Sequence, residues 1–105
     1  MEYAKTIKKS ELLSKLGNIR RVSNLCSPRS YRAVPNQYCL DCENGEAFQS
    51  YDTLIAVRIG WDLYLTRDHD CSNTTSKYTK LFTGFDTNER RCGLRNGDFI
   101  FIEED

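Results

Sequence analysis

The sequence predicts an α+β domain in which an antiparallel β-meander of about five strands is combined with two short helices before the last strand and one helix at the N-terminus. Three observations predict this class. Alternating apolar and polar runs separated by turn residues begin at residue 36, two stretches of helical periodicity follow residue 72, and a third precedes residue 17. The length of 105 residues suits one compact domain and is too short for two.

The first predicted element is a helix from Lys8 to Leu16. Ser10 is its predicted N-cap, because a hydroxyl there can accept a backbone N–H, and Gly17-Asn18 supplies the C-terminal stop. An isolated helix this short frays, so it must dock onto the rest of the chain. The side chains predicted to make that contact are Leu12, Leu13 and Leu16.

The segment after this helix, Ile19 to Pro35, is predicted to be an extended linker or arm, because it lacks sustained periodicity and holds both prolines. The chain has no net charge, yet residues 1–35 sum to +6 and residues 36–105 to −6. We therefore divide the compact domain into a basic N-terminal helix and arm, residues 1–35, and an α+β body, residues 36–105. The arm is expected either to meet an external anion or to fold back on the acidic body.

The strongest local prediction is a β-hairpin. Residues Gln37–Glu43 alternate in polarity, and Glu46–Tyr51 returns as the partner strand. Between them, Asn44-Gly45 is the dipeptide that a type I′ turn favours, because both of its central residues need a positive φ. The side chains expected on the apolar face of the first strand are Tyr38, Leu40 and Cys42.

Three further strands complete the predicted sheet. Thr53–Ile59 is rich in β-branched residues, and Leu63–Thr66 returns after a turn at Gly60-Trp61-Asp62. Phe99–Ile102 is apolar on both faces, which suits a strand inside the sheet rather than at its edge. The residues expected to share one face of the first of these strands are Ile55, Val57 and Ile59.

Two helices are predicted between the fourth strand and the last. The first runs from Asn73 to Thr83 with Ser72 as its N-cap, and the second begins at Thr87 and stops at Asn96-Gly97. The apolar stripe expected to bury the first of them consists of Tyr78, Leu81, Phe82 and Phe85.

The pair Cys39 and Cys42 raises the question of zinc or redox chemistry. A structural zinc site needs four ligands, and no second pair with suitable spacing is present. An offset of three also sends the two side chains to opposite faces of a strand. A redox CxxC opens a helix, whereas a hairpin is predicted here. We expect no metal, a core position for Cys42, and free thiols in a reducing compartment.

A thiol nucleophile at Cys71 with His69 as its base is a second catalytic hypothesis. The two side chains can touch across Asp70, yet no third orienting group completes the set, and His69 is the one histidine of the chain. We therefore expect no catalytic residue and no cofactor, and thiol-dependent activity ranks last among the functional hypotheses.

The segment from Asp70 to Tyr78 places several hydroxyls and Lys77 in the first turn of the predicted helix. Because the positive end of a helix dipole disfavours a cation, Lys77 there is explained either by a bound anion such as phosphate or by pairing with a nearby acid. We favour pairing with Asp70, since an acid so close repels a phosphate. The residues assigned to this structural motif are Asp70, Ser72, Thr74, Thr75 and Tyr78.

The basic arm carries the candidate binding residues. Guanidinium groups can fork onto phosphates and Tyr31 can stack on an unpaired base, so the arm could bind nucleic acid. The acidic groove of a partner protein would satisfy the same arginines. The predicted contact residues in the arm are Arg20, Arg21, Arg29, Tyr31 and Arg32, joined by Lys77 and by exposed aromatics such as Trp61 or Tyr64.

A run of residues in the body resembles a small domain that recurs in bacteriophage and mobile-element proteins of unassigned function. The resemblance covers about residues 37–85 and rests on Ser50-Tyr51-x-Thr53-x-Ile55-Ala56, then Tyr64-Leu65, then Asp70-x-Ser72-x-Thr74-Thr75-x-Lys77-Tyr78 with Phe82. It implies a phage-type accessory protein of the bacterial cytoplasm and brings no known activity and no catalytic residue. Small phage accessory proteins often block a host defence machine, as anti-CRISPR proteins do.

Two functional hypotheses from different classes follow. The first is a non-catalytic protein that binds and inhibits a host protein, with a nucleic-acid-directed defence complex as the target. The second is a small nucleic-acid-binding accessory protein that uses the arm and Lys77. No apolar run is long enough to span a membrane and the first residues lack a secretory h-region, so we expect a soluble cytoplasmic protein.

Overall fold

The fold is built on one seven-stranded β-sheet, which a computed structural model describes together with its helices for residues 3–105. The α+β class is confirmed, although the sheet has seven strands rather than five. The strands are β1 (Thr6–Lys8), β2 (Ile19–Cys26), β3 (Ala33–Cys42), β4 (Glu46–Ser50), β5 (Thr53–Ile59), β6 (Asp62–Leu65) and β7 (Ile100–Glu103). The helices are α1 (Lys9–Leu16), α2 (Asn73–Thr83) and α3 (Thr87–Asn96), with a short 3-10 helix at Arg67–Asp70.

The strand order is β1-β7-β6-β5-β4-β3-β2, so the first two strands of the chain lie at opposite edges. Strands β2 to β6 form an antiparallel meander, while β7 pairs in parallel with both β6 and β1. Parallel neighbours need a long crossover, and the 3-10 helix, α2 and α3 supply it between β6 and β7. The interior position predicted for the last strand is confirmed.

The first face of the sheet is covered by α1, whose Leu12 and Leu16 are buried among residues of β3 to β7. Leu13, predicted to be buried as well, is exposed because it lies on the outer side of this short helix. The Gly17 stop is confirmed, since its N–H donates to the carbonyl of Leu13. The predicted Ser10 cap is wrong: Lys8 is the N-cap, and the Ser10 hydroxyl and N–H both donate to the carboxylate of Asp105.

The second face is covered by the 3-10 helix, α2 and α3. The predicted bounds of α2 and α3 are confirmed, and the Ser72 hydroxyl caps α2 by accepting the N–H of Thr75. Tyr78 and Phe82 are buried in the second core cluster, as predicted. The other two members of the predicted stripe are not buried: Leu81 is 45% exposed, and Phe85 lies at the edge of the layer against Phe99.

Two local predictions within the meander are corrected. The hairpin around Asn44-Gly45 is present, but neither residue has a positive φ, so the turn is not type I′. In β5, Leu54 and Ala56 pair with two consecutive residues of β4, so Ile55 between them has no partner and forms a bulge. This bulge turns Ile55 to the second face, away from Val57.

The predicted linker Ile19–Pro35 is the largest correction. It forms the whole of β2, a turn and the start of β3, so the boundary proposed at residue 35 falls inside a strand. Pairing of backbone groups, rather than burial of side chains, holds β2 in place, and for that reason its sequence shows no periodicity. Residues 1 and 2 of the proposed segment lie outside the described residues.

None of the helices in residues 3–105 combines the length and the apolar character that a membrane span requires.

Candidate functional site

The arginines of the predicted arm lie on an exposed sheet edge. Among the strands of residues 3–105, β2 pairs only with β3, so its outer backbone groups have no sheet partner there. Arg20 and Arg21 project from this strand, and Arg29 and Arg32 from the turn that follows it; all four are exposed. Within residues 3–105, no ion pair joins any of these guanidinium groups to a carboxylate. The basic segment is therefore part of the fold and presents its charges outward.

The turn between β2 and β3 holds Tyr31 away from the body of the protein. The Ser27 N–H donates to the carbonyl of Arg32 at 2.9 Å, and the Tyr31 N–H donates to the carbonyl of Ser27 at 2.9 Å. Tyr31 adopts a φ of 58° and its side chain is 83% exposed. Because a positive φ costs a non-glycine residue about 1 kcal/mol or more, these backbone bonds maintain the presentation of the ring.

An apolar groove lies on the first face beside β2. Its cavity of about 520 Å³ is lined by Ile19, Val22, Tyr38 and Tyr51 among others. It shares Ile19 with a neighbouring cavity of about 430 Å³ that reaches Leu13 on α1. An eight-residue helix is about 12 Å long, whereas seven strands span roughly 29 Å, so α1 leaves this part of the face uncovered.

The predicted aromatic contacts do not form one surface. Trp61 is fully exposed at the tip of the β5–β6 turn. The strand register places that turn at the end of the sheet where Ile19 pairs with Cys42, opposite to the end that carries Tyr31. Tyr64 was predicted to be exposed and is buried in the first core cluster. Of these aromatic residues, only Tyr31 lies with the arginines of the arm.

Asp70 forms an ion pair that connects the end of the 3-10 helix to a helix, as expected, but its partner is Arg91 of α3 rather than Lys77 of α2. The Asp70 carboxylate accepts hydrogen bonds from Arg91, 2.7 Å from Nη2 and 2.9 Å from Nε. The predicted Asp70–Lys77 pair is absent, and the Lys77 ammonium lies 5.4 Å from the centre of the Tyr78 ring on the exposed side of α2. Thr74 is exposed as well.

Thr75 connects the two runs of the sequence motif, the one that begins at Ser50 and the one that begins at Asp70. Its hydroxyl accepts from the Ser72 hydroxyl at 3.1 Å and lies 3.5 Å from the hydroxyl of Ser50 at the end of β4. Thr75 and Ser50 are both buried, so the contact between these two hydroxyls is shielded from water. The run after Asp70 is thus a structural element that fixes the start of α2 on the sheet.

The sequence reasoning missed the buried centre of this layer, Arg90. Its side chain is 0% exposed. Nε donates to His69 Nδ1 at 3.0 Å, Nη1 donates to the carbonyl of Phe85 at 2.6 Å, and Nη2 donates to the carbonyl of His69 at 3.1 Å. Nη2 also reaches the hydroxyls of Ser76 at 3.0 Å and Thr87 at 3.2 Å. One guanidinium therefore joins the 3-10 helix, α2 and α3.

A signal for Arg90 was present in the sequence. Arg90 and Leu94 are four residues apart on α3, so they share the face that packs against the sheet. Gly93 lies between them, where an added Cβ would be 2.2 Å from Phe99 Cδ2, so the helix backbone approaches closely. The partners of Arg90, however, come from segments up to 21 residues away, and no periodicity reports them.

The cysteine pair is arranged as the offset of three predicts. Cys42 belongs to the first core cluster, and Cys39 packs against the second, on the opposite face. Burial raises the pKa of both thiols, and the Glu46 carboxylate raises that of Cys39 further. Within residues 3–105, no group of three or more metal-ligating side chains is placed to hold an ion.

The structure does not place Cys71 and His69 as the hypothesis of a thiol nucleophile and its base requires. Cys71 is exposed, whereas His69 is 4% exposed and engaged with Arg90 through Nδ1. No hydrogen bond links His69 to Cys71 in the described part of the chain. The imidazole is thus committed to the buried network rather than to a thiol.

This chain belongs to a family of unknown function, DUF8033, whose model matches residues 7–99. The predicted membership of a domain family without an assigned function is confirmed. The match is longer than the resemblance over residues 37–85 and includes α1 and β2, as expected if the N-terminal segment is part of the same fold. No curated protein and no solved structure matches the chain.

Replacing Arg90 by Met is expected to lower the free energy of unfolding by about 3 kcal/mol or more. The change keeps most of the side-chain volume but leaves several buried acceptors without a donor. Arg91→Ala is the matched control: its Asp70 partner is near the surface, so the loss is expected to stay below about 1 kcal/mol. Urea unfolding at pH 7 measures both. Equal losses would contradict the central role of Arg90.

Stability is expected to fall as the pH is lowered from about 7.5 to 5. Burial lowers the pKa of His69 from its ordinary value of 6.5; Asp70 opposes this shift, whereas Arg90 and Arg91 add to it. As the pH falls through about 6.5, His69 is therefore protonated in the unfolded chain but remains neutral in the folded chain. The slope of the free energy of unfolding should approach but not exceed about 1.4 kcal/mol per pH unit.

His69→Asn tests the origin of this slope, because an amide can accept from Arg90 but does not titrate. Its free energy of unfolding should be flat across the same range. Glu103 and Asp105 also have lowered pKa values, through Lys8 and Ser10, but their contribution is lost below about pH 4.5 and does not interfere. An unchanged slope in the variant would assign the effect to other groups.

Proposed function

We propose that this protein is a non-catalytic, phage-type accessory protein that binds and inhibits a host protein in the bacterial cytoplasm. The contact surface is the outer edge of β2, the β2–β3 turn and the apolar groove beside them. One observation carries the proposal: four exposed arginines, two on the free edge strand β2 and two on the turn after it, lie beside an apolar groove and form no ion pair within residues 3–105.

The composition of this surface supports a protein partner. Interfaces between proteins are enriched in apolar and aromatic side chains and in arginine, and the groove and its neighbouring arginines provide all three. The free backbone groups of β2 can also accept a strand from a partner, which adds affinity through main-chain hydrogen bonds. Four arginines favour a partner that presents carboxylates at this edge.

The same charges disfavour a second copy of this chain as the occupant. If two β2 edges paired with each other, the arginines of β2 and of the adjoining turn in both copies would gather along one shared edge, and their like charges would oppose the association. An acidic partner removes that repulsion. The surface is thus suited to another protein rather than to self-association.

The choice of target comes from the resemblance in the Asp70–Tyr78 run. Phage accessory proteins of this size commonly act by occupying a surface of a host defence machine, which needs no catalytic group on the inhibitor. Among such machines, those that handle nucleic acid are the preferred target, as for anti-CRISPR proteins. An inhibitor with exposed arginines fits an acidic protein surface on such a complex.

The arginines of β2 are tested by charge reversal. Affinity capture from a bacterial host lysate identifies the partner, and its dissociation constant is then measured against the purified wild-type chain and Arg21→Glu. The variant should bind at least about tenfold more weakly, equivalent to 1.4 kcal/mol, because attraction becomes repulsion at the interface.

Lys80→Glu is the matched control, since Lys80 is also exposed but lies on α2, outside the edge formed by β2 and the groove beside it. Its dissociation constant should stay within about twofold of the wild-type value. Circular dichroism confirms that both variants are folded. Equal binding by Arg21→Glu and the wild type, or equal loss in both variants, would refute the assignment of this surface.

A second candidate function, binding of single-stranded nucleic acid, is favoured by the turn. Tyr31 lies between Arg29 and Arg32 and is held outward, which is the arrangement of a stacking platform flanked by phosphate contacts. The groove has no role in that mode, so we rank it second.

Salt dependence separates the two functions. If the turn binds single strands, mobility shifts with an oligonucleotide should weaken steeply with salt, and Arg29→Ala should reduce the logarithmic slope by roughly one. The protein interface proposed above should depend on salt much less. The absence of any shift at low salt would remove the nucleic-acid function.

A further inference from the structure

A second basic surface lies on the opposite side of the molecule and does not involve the β2 edge. A cavity of about 430 Å³ opens between the 3-10 helix and α3. Arg67, Arg91 and Arg95 line it together with His69 and Asp70. Arg91 and Arg95 are four residues apart on α3, so their side chains share one face of that helix. Three guanidinium groups therefore surround a concave site.

The histidine in this cavity is held as a hydrogen-bond donor. Arg90 Nε donates to His69 Nδ1 at 3.0 Å, so Nδ1 carries no proton and the proton of the neutral ring lies on Nε2. His69 is 4% exposed, yet its Nε2 has no hydrogen-bond partner in residues 3–105 and is not sealed from solvent. Because this N–H reaches solvent on a ring that lines the cavity, it is available as a donor to a ligand that accepts a hydrogen bond.

The charge of the site is positive. Asp70 neutralises Arg91 through Nε and Nη2, whereas Arg67 and Arg95 form no ion pair in the described part of the chain. Behind the imidazole, the buried guanidinium of Arg90 adds a further positive charge, and no carboxylate of residues 3–105 forms an ion pair with it. The cavity thus offers two free guanidinium groups and one neutral N–H donor to an anion.

We propose that this cavity binds a phosphate group. Guanidinium groups match the oxygens of phosphate by forked hydrogen bonds, and a neutral imidazole N–H adds a donor without requiring protonation. The phosphate would lie between Arg67 and Arg95 and accept from His69 Nε2. Because the cavity is also lined by Tyr3 and Leu94, it has room for an organic group next to the phosphate.

Asp70 sets the strength of the site. Its carboxylate repels an incoming phosphate and at the same time occupies Arg91, so it opposes binding in two ways. Removing that charge should therefore strengthen binding, which is the opposite of what a merely structural ion pair predicts. The sign of this effect distinguishes a phosphate site from a cluster of surface charges.

The test is isothermal titration calorimetry of the full chain at low salt with inorganic phosphate and with adenosine monophosphate, and with adenosine as the uncharged comparison. Both phosphate ligands should bind in a one-to-one ratio and adenosine should not. Tighter binding of the monophosphate would identify a phosphate ester as the ligand, and equal binding would identify free phosphate.

Three variants make the outcome specific. Arg67→Ala combined with Arg95→Ala should weaken phosphate binding at least tenfold, and Asp70→Asn should strengthen it about threefold or more. Lys15→Ala combined with Lys80→Ala removes the same number of exposed positive charges outside the cavity and should leave phosphate binding unchanged. All replaced side chains are near the surface, so the fold is retained.

The proposal is overturned if neither phosphate ligand binds the wild-type chain. It is also overturned if the Lys15 and Lys80 pair loses as much affinity as the pair in the cavity, since binding would then be non-specific attraction to surface cations. Neither result bears on the protein interface at β2, because the two surfaces share no residue.

Discussion

The buried guanidinium of Arg90 is the interaction on which the layer over the second face depends. A charged group taken out of water is costly unless every donor finds an acceptor, and here the 3-10 helix, α2 and α3 each supply at least one. Apolar side chains of α2 and α3 bury this layer against the sheet, and the Asp70–Arg91 and Ser76–Thr87 hydrogen bonds add to the contacts between its segments. Satisfying Arg90 fixes their relative positions. It also fixes the proton of His69 on Nε2 and so sets the chemistry of the cavity beside it.

The path of the chain has a comparable consequence for the first face. Strand β1 begins at one edge, α1 passes over the sheet, and β2 continues at the other edge. The first edge is short and is tied to β7 by the ion pair of Lys8 with Glu103. The second edge is long and free. Because α1 is too short to cover the whole face, an apolar groove is left beside that free edge, and the arginines of β2 lie next to it.

The protein therefore carries two chemically different surfaces on a single scaffold. One combines an open strand edge, an apolar groove and outward-facing arginines, which suits an extended acidic segment of another protein. The other is a concave cluster of arginines around a buried imidazole, which suits a small anion. They lie on opposite faces of the sheet, so a ligand at one does not occlude the other. Membership of a family of unknown function leaves both roles open to direct test.

The sequence by itself determined the local elements. Side-chain periodicity and capping residues specified α2, α3 and the β3–β4 hairpin, because those signals lie within a few residues of each other. The tertiary structure alone decided which distant segments meet. Strand β2 could not be predicted from periodicity, because backbone pairing to β3 rather than side-chain burial holds it in place. The Asp70–Arg91 and His69–Arg90 contacts join residues that are 21 positions apart in the sequence. The exposed arginines of the predicted arm could be found from composition. For the arginine at the centre of the second layer, the sequence offered only its spacing from Leu94 on α3, since the polar partners that make its burial possible are brought to it by the fold.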